Sequence, residues 1–95
     1  MKTIYKYNLQ FETHIELQLP VNAKILSVQV QNGSLCLWAL VDPDLNSETR
    51  VFDVIGTGHT IRNRESAIIN NLYKHLSTVQ IGQLVFHVFE VTTPF

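Results

Sequence analysis

Sulfur, charge and long apolar runs are all scarce in this chain of 95 residues. Its single cysteine, Cys36, rules out an internal disulfide, and with it the cross-linked framework of small secreted proteins. Charged residues make up only 16% of the sequence, and the formal net charge is −1. Seven lysines and arginines are scattered among eight acids, so the basic stripe that a phosphate backbone requires is missing and nucleic acid is not an expected partner. No apolar run approaches the roughly 20 residues that span a bilayer. The opening residues MKTIYKYNLQF lack the apolar centre of a secretory signal. These absences lead to the expectation of a cytoplasmic protein without membrane contact.

Catalytic and metal-binding patterns are equally thin. Histidines 14, 59, 75 and 87 show none of the paired spacings of a zinc site, and one cysteine adds nothing to them. Serines 27, 34, 47, 66 and 77 lie outside any nucleophile-elbow context. Asp42, Asp44 and Asp53 sit beside turns or on a short strand, which gives no obvious pair of carboxylates. The expectation is a non-enzymatic protein with no cofactor and no metal.

What the chain has is alternation. Tyr5, Tyr7, Leu9 and Phe11 share one parity, with Lys6, Asn8, Gln10 and Glu12 on the other; Ile15, Leu17 and Leu19 repeat the pattern until Pro20. Side chains on a strand point to opposite faces with a period of two, so both segments read as half-buried strands. Asn32-Gly33 is a strong hairpin signal, because a two-residue type I′ turn needs positive φ at both positions. Centring a hairpin there sets Val30 opposite Leu35, Val28 opposite Leu37 and Leu26 opposite Ala39 on one face. The other face then carries Gln29 opposite Cys36, Ser27 opposite Trp38 and Ile25 opposite Leu40.

Asp42-Pro43-Asp44 ends that hairpin with turn chemistry, and polar residues 45–50 read as a loop before a strand over 51–55. Residues 64–71 read as a short helix, followed by a strand over 73–81, a tight turn at Gly82-Gln83 and a strand over 84–91. Apolar residues on both parities of that last strand imply burial on both sides. Its hairpin register pairs His87 with Thr78 and His75 with Glu90. Residues 92–95 read as a tail. The sum is a single, mainly β domain of about seven strands, an antiparallel sandwich or small barrel with one short helix. The rival is an α+β roll in which 63–76 form one long helix across the sheet.

Two sets of residues could carry function. Gly56-Thr57-Gly58-His59 follows a strand, and backbone amides in such a loop can approach an anion; Arg62 and Arg64 lie just beyond. A small anionic metabolite or a nucleotide is the ligand such a pocket would take. The dinucleotide fingerprint would need a third glycine where Ile61 stands, and glycines at a strand exit often only permit positive φ. The second set is Tyr5, Tyr7, Cys36 and Trp38. Aromatic anchors of this kind are enriched where proteins bind proteins, and Cys36 with Trp38 would cover a second small core or a contact between copies. That makes a homo-oligomer an expected state.

The residues SVQVQNG, CLWALVDP, GTGH and VFHVFE, with KTIYKY at the start, resemble a family of short uncharacterised proteins from phage and prophage genomes. The likeness runs over nearly the whole chain and departs from the family pattern at residues 64–74. It brings no activity. It implies a phage-derived protein that binds a host protein in the host cytoplasm, in the manner of counter-defence proteins.

Overall fold

In a computed structural model, which describes residues 1–61, 65–70 and 72–92, alternation becomes two antiparallel sheets. The elements run β1 (Thr3–Leu9), β2 (His14–Pro20), β3 (Lys24–Gln31), β4 (Ser34–Val41), β5 (Ser47–Gly56), α1 (Glu65–Ile69), β6 (Tyr73–Ile81) and β7 (Leu84–Val91). The first sheet has the order β1-β4-β3 and the second β2-β5-β7-β6. The sheets stay separate rather than closing into a barrel, so of the expected architectures the sandwich is the one formed. The long-helix roll is excluded as well, because α1 stops at Ile69 and β6 begins at Tyr73. The outer residues of the expected helix, Arg64 and Asn71, lie outside the described residues, as do 93–95 of the expected tail.

Asn32 and Gly33 turn as their sequence requires, with φ of 53° and 78°. The ladder beyond them pairs Gln31 with Ser34, Val30 with Leu35 and Val28 with Leu37. On β4 every second side chain, Leu35, Leu37, Ala39 and Val41, points at the opposing sheet and is fully buried. Phe52, Val54 and Val88 meet that row from the second sheet, and Leu9, Ile15, Leu19 and Val28 close the same core. β7 is indeed an inner strand, flanked by β5 and β6.

Three expected registers differ from those found. Ile25, not Leu26, faces Ala39, and Lys24, not Ile25, faces Leu40. A bulge between Ile25 and Ser27 leaves Leu26 with no opposite number, and it is 46% exposed. The extra residue of a bulge shifts the parity of everything beyond it, which turns Ile25 inward in Leu26's place. A second bulge between His75 and Ser77 acts alike: Thr78 faces His87 as expected, but Lys74 faces Glu90 and His75 faces Phe89. Leu76, at that bulge, packs against the main core.

The expected loop over 45–50 is also shorter. The reversal is complete at Leu45, whose amide donates to the Asp42 carbonyl at 3.1 Å, and β5 starts at Ser47. Polar side chains concealed this strand: Ser47 to Arg50 pair with Pro20 to Leu17, and Ser47, Glu48 and Thr49 are themselves exposed. Phe11 falls outside β1 and instead rests on Phe86, with ring centroids 5.4 Å apart.

A smaller second core sits on the far side of the second sheet. There α1 lays Ala67 and Ile68 over Tyr73, Phe89, Ile55 and Val91. It is the second core expected from the sequence, but on the other sheet, and neither Cys36 nor Trp38 belongs to it.

Removing Leu37 from the centre of the core should cost about 2–5 kcal/mol as Leu37→Ala. Leu26→Ser, one strand away, should stay within about 0.5 kcal/mol of the parent, because the bulge already delivers that side chain to solvent. Urea denaturation of both variants reads the difference; equal losses would contradict the bulge.

Candidate functional site

The period of two that buries Leu35, Leu37 and Ala39 sends Cys36, Trp38 and Leu40 to the other face of the first sheet. Across β1 and β3 the ladder brings them Asn8 and Gln29, Lys6 and Ser27, and Ile4 and Lys24, respectively. Trp38 therefore stands on the middle strand of a three-stranded face. It belongs to neither hydrophobic cluster, and neither do Ile4, Leu26 and Leu40 beside it. Ile4 is 57% exposed. The Lys6 ammonium lies 5.9 Å from the centre of the indole, within cation–π reach.

The charge on this sheet is one-sided. β1, β3 and β4 together contain Lys6 and Lys24 and no aspartate or glutamate. The acids of the other strands, Glu16, Glu48, Asp53 and Glu90, all belong to the second sheet. A chain that is nearly neutral overall thus has one sheet whose strands carry only positive charge, with Lys6 directly beside Trp38.

The four expected interface residues do not stay together. Cys36 and Trp38 share the outer face, whereas Tyr7 packs against the core and Tyr5, opposite Ala39, lies on the inner side at the sheet edge. The Tyr5 and Tyr7 rings meet edge to face with centroids 6.4 Å apart. Burial, and then the neighbouring Tyr5 hydroxyl, push the Tyr7 pKa above the usual 10.0. The Cys36 thiol is no open nucleophile: the residue is 1% exposed, and the thiol lies 3.6 Å from the Ser34 carbonyl.

Around Gly56 the loop closes on itself. The amide of His59 donates to the Gly56 carbonyl at 3.1 Å, Gly58 takes φ of 85°, and the geometry is that of a type II turn. The Thr57 amide donates to the Val85 carbonyl at 3.0 Å. Two amides of the expected anion cradle are therefore committed to backbone carbonyls. The His59 ring lies over Gly56 so closely that a β-carbon there would stand 2.9 Å from it, which explains the glycine by contact rather than by a ligand. Arg62 and Arg64, the other half of the expected pocket, lie outside the described residues.

Polar networks that sequence reading missed occupy the second sheet. Asp53, 1% exposed, meets His14 Nδ1 with one oxygen at 2.9 Å and accepts the Tyr73 hydroxyl with the other. The signal was an acid inside the apolar run VFDVI, since a buried carboxylate needs donors. Nearby, Thr57 meets His87 Nε2 at 2.7 Å, and the Thr78 hydroxyl joins His87 Nδ1 at 3.0 Å to His75 Nε2 at 2.9 Å. His87 is thus tied at both ring nitrogens.

On the inner side Arg50 grips both oxygens of Glu90, at 2.6 and 2.9 Å, and donates to the Ala23 carbonyl. A cleft of about 480 Å³ opens beside this pair, lined also by Glu48, Val51 and Val91. Every buried side-chain nitrogen and oxygen among the described residues has a hydrogen-bond partner. These networks hold the second sheet together internally.

Neither a curated protein nor a solved structure matches this chain. The family model described as Domain of unknown function (DUF7352) matches residues 1–94, and the chain belongs to that family.

Cutting the ion pair on one side should be worse than removing it whole. Arg50→Met leaves Glu90 without its partner and should cost up to about 3 kcal/mol, while adding Glu90→Leu should recover most of that loss in urea unfolding.

The raised Tyr7 pKa carries its own sign. The folded state holds that proton longer than the unfolded chain, so the contribution is complete below 10.0 and fades as pH climbs toward the folded value. Stability measured across that alkaline window should fall less steeply in Tyr7→Phe than in the parent.

Proposed function

We propose that this family member is a non-enzymatic protein-binding module whose docking surface is the outer face of β1, β4 and β3. The observation that carries it is Trp38, placed mid-face outside both cores and framed by Ile4, Leu26 and Leu40. A tryptophan in an apolar patch with a polar rim is the usual anatomy of an energetic anchor. Lys6 and Lys24, unopposed by any acid on these strands, select a partner surface with an apolar centre and carboxylates around it. They also weigh against two copies meeting face to face, since a twofold contact would bring lysines together.

The likeness of the motifs to small phage proteins supports a host protein as that partner and the host cytoplasm as the place, with counter-defence as the biological setting. A small-anion site at Gly56–His59 is the weaker reading, because the Thr57 and His59 amides already have carbonyl partners.

The test compares affinity capture from host lysate by the parent, by Trp38→Ser, by Lys6→Glu with Lys24→Glu, and by Glu16→Lys on the opposite sheet as control. A specific partner should be retained by the parent and the control and lost, at least tenfold, by both face variants. Its binding to the parent should also weaken with salt. A partner held equally by all four proteins would refute the docking face.

A further inference from the structure

The reversal at Asn32-Gly33 has a chemistry of its own. Of the asparagines in the chain, only Asn32 is followed by glycine. Both residues are exposed at the tip of the β3–β4 hairpin, and a β-carbon built on Gly33 would meet nothing within 4 Å. The side-chain amide of an asparagine is open to attack by the backbone nitrogen of the next residue. A glycine there, having no side chain, leaves that nitrogen unobstructed. The other asparagines among the described residues lack this opening. Asn8 precedes Leu9 and Asn22 precedes Ala23, both of them buried, and Asn70 precedes another asparagine. The Asn46 carbonyl accepts the Val21 amide at 2.7 Å, just ahead of Ser47 in β5.

We propose that Asn32 converts itself to aspartate and isoaspartate, in a reaction that the folded hairpin holds in check. The Gly33 amide nitrogen gives up its proton and bonds to the side-chain carbonyl carbon of Asn32. The side-chain nitrogen leaves as ammonia, carrying that proton. Water then opens the cyclic imide. Cleavage at the side-chain carbonyl gives aspartate with the normal backbone. Cleavage at the main-chain carbonyl gives isoaspartate, whose backbone runs through the side chain and is one carbon longer. By either route one water is consumed and one ammonia released.

The turn decides when this happens. Asn32 and Gly33 take φ of 53° and 78°, the type I′ pair, in which the Gly33 nitrogen points away from the Asn32 side chain. Attack requires rotation about the Cα–C bond of Asn32. The ladder from Gln31–Ser34 to Val28–Leu37 blocks that rotation until the end of the hairpin opens. The two products then part ways. Aspartate followed by glycine suits the same turn. Isoaspartate puts an extra backbone atom into a reversal whose length sets the register, so the pairs Val30–Leu35 and Val28–Leu37 are strained. Leu35 and Leu37 are buried in the main core, so the change reaches the interior. None of this depends on whether the Trp38 face docks a partner.

The test ages the full chain at mildly alkaline pH, then digests it and locates isoaspartate by mass spectrometry and enzymatic methylation. The product should concentrate in the peptide that holds Asn32. It should form at least about tenfold faster in guanidinium chloride that unfolds the protein than in the folded state. Asn32→Gly keeps a pair that suits the turn and removes the reactive amide, so it should form no isoaspartate there and keep its melting temperature on ageing. The aged parent should melt lower in proportion to its isoaspartate content, whereas fresh Asn32→Asp, standing for the other product, should melt with the fresh parent. Isoaspartate arising chiefly at another asparagine, or equal rates in the folded and unfolded chain, overturns the proposal. So does an aged parent that carries isoaspartate at Asn32 and melts unchanged.

Discussion

β4 can send only every second side chain into the main core, and that constraint organises the molecule. Leu35, Leu37, Ala39 and Val41 take the inner face and meet Phe52 and Val88 from the second sheet. Geometry then leaves Cys36, Trp38 and Leu40 no choice but the opposite face. Because β4 is the middle strand, its outward residues are flanked by β1 and β3, which is why Cys36 is buried between Asn8 and Gln29 while the larger Trp38 is partly buried.

The two outer faces are used in opposite ways. On the second sheet α1 lies over Tyr73 and Phe89, and Asp53 ties His14 on β2 to Tyr73 on β6 across the sheet. The hydroxyls of Thr57 and Thr78 occupy both nitrogens of His87. That face satisfies itself. The first sheet has no helix over it in either cluster, and its strands hold no carboxylate. Trp38, Ile4 and Leu40, with Lys6 and Lys24, are the part of this surface that we propose as the docking face.

Much of this was legible beforehand. Asn32-Gly33 located one hairpin to the residue, and the pairs nearest the turn, Val30 with Leu35 and Val28 with Leu37, followed from it. The pairs farther out failed, because a bulge is one extra residue with no composition of its own and it reverses every parity beyond it. Leu26 and His75 were misplaced for that one reason. The beginning of β5 was hidden for another: Ser47, Glu48 and Thr49 are polar because they sit at the rim, so they lack the alternation by which strands are recognised. In the candidate site, Trp38 and Cys36 were correctly set on one side, while Tyr5 and Tyr7 went to the other. No alternation within β1 could show this, because which parity of β1 faces the core depends on its register with β4.

The sequence alone determined the class of the fold and the two hairpin turns at Asn32-Gly33 and Gly82-Gln83, since these follow from backbone sterics and from spacing along the chain. Only the tertiary structure decided which strands share a sheet, where the bulges fall, that Arg50 finds Glu90 and Asp53 finds His14 and Tyr73, and which outer face α1 covers. Those outcomes depend on contacts between residues far apart in the chain, and a one-residue slip in register is enough to turn an inward side chain out.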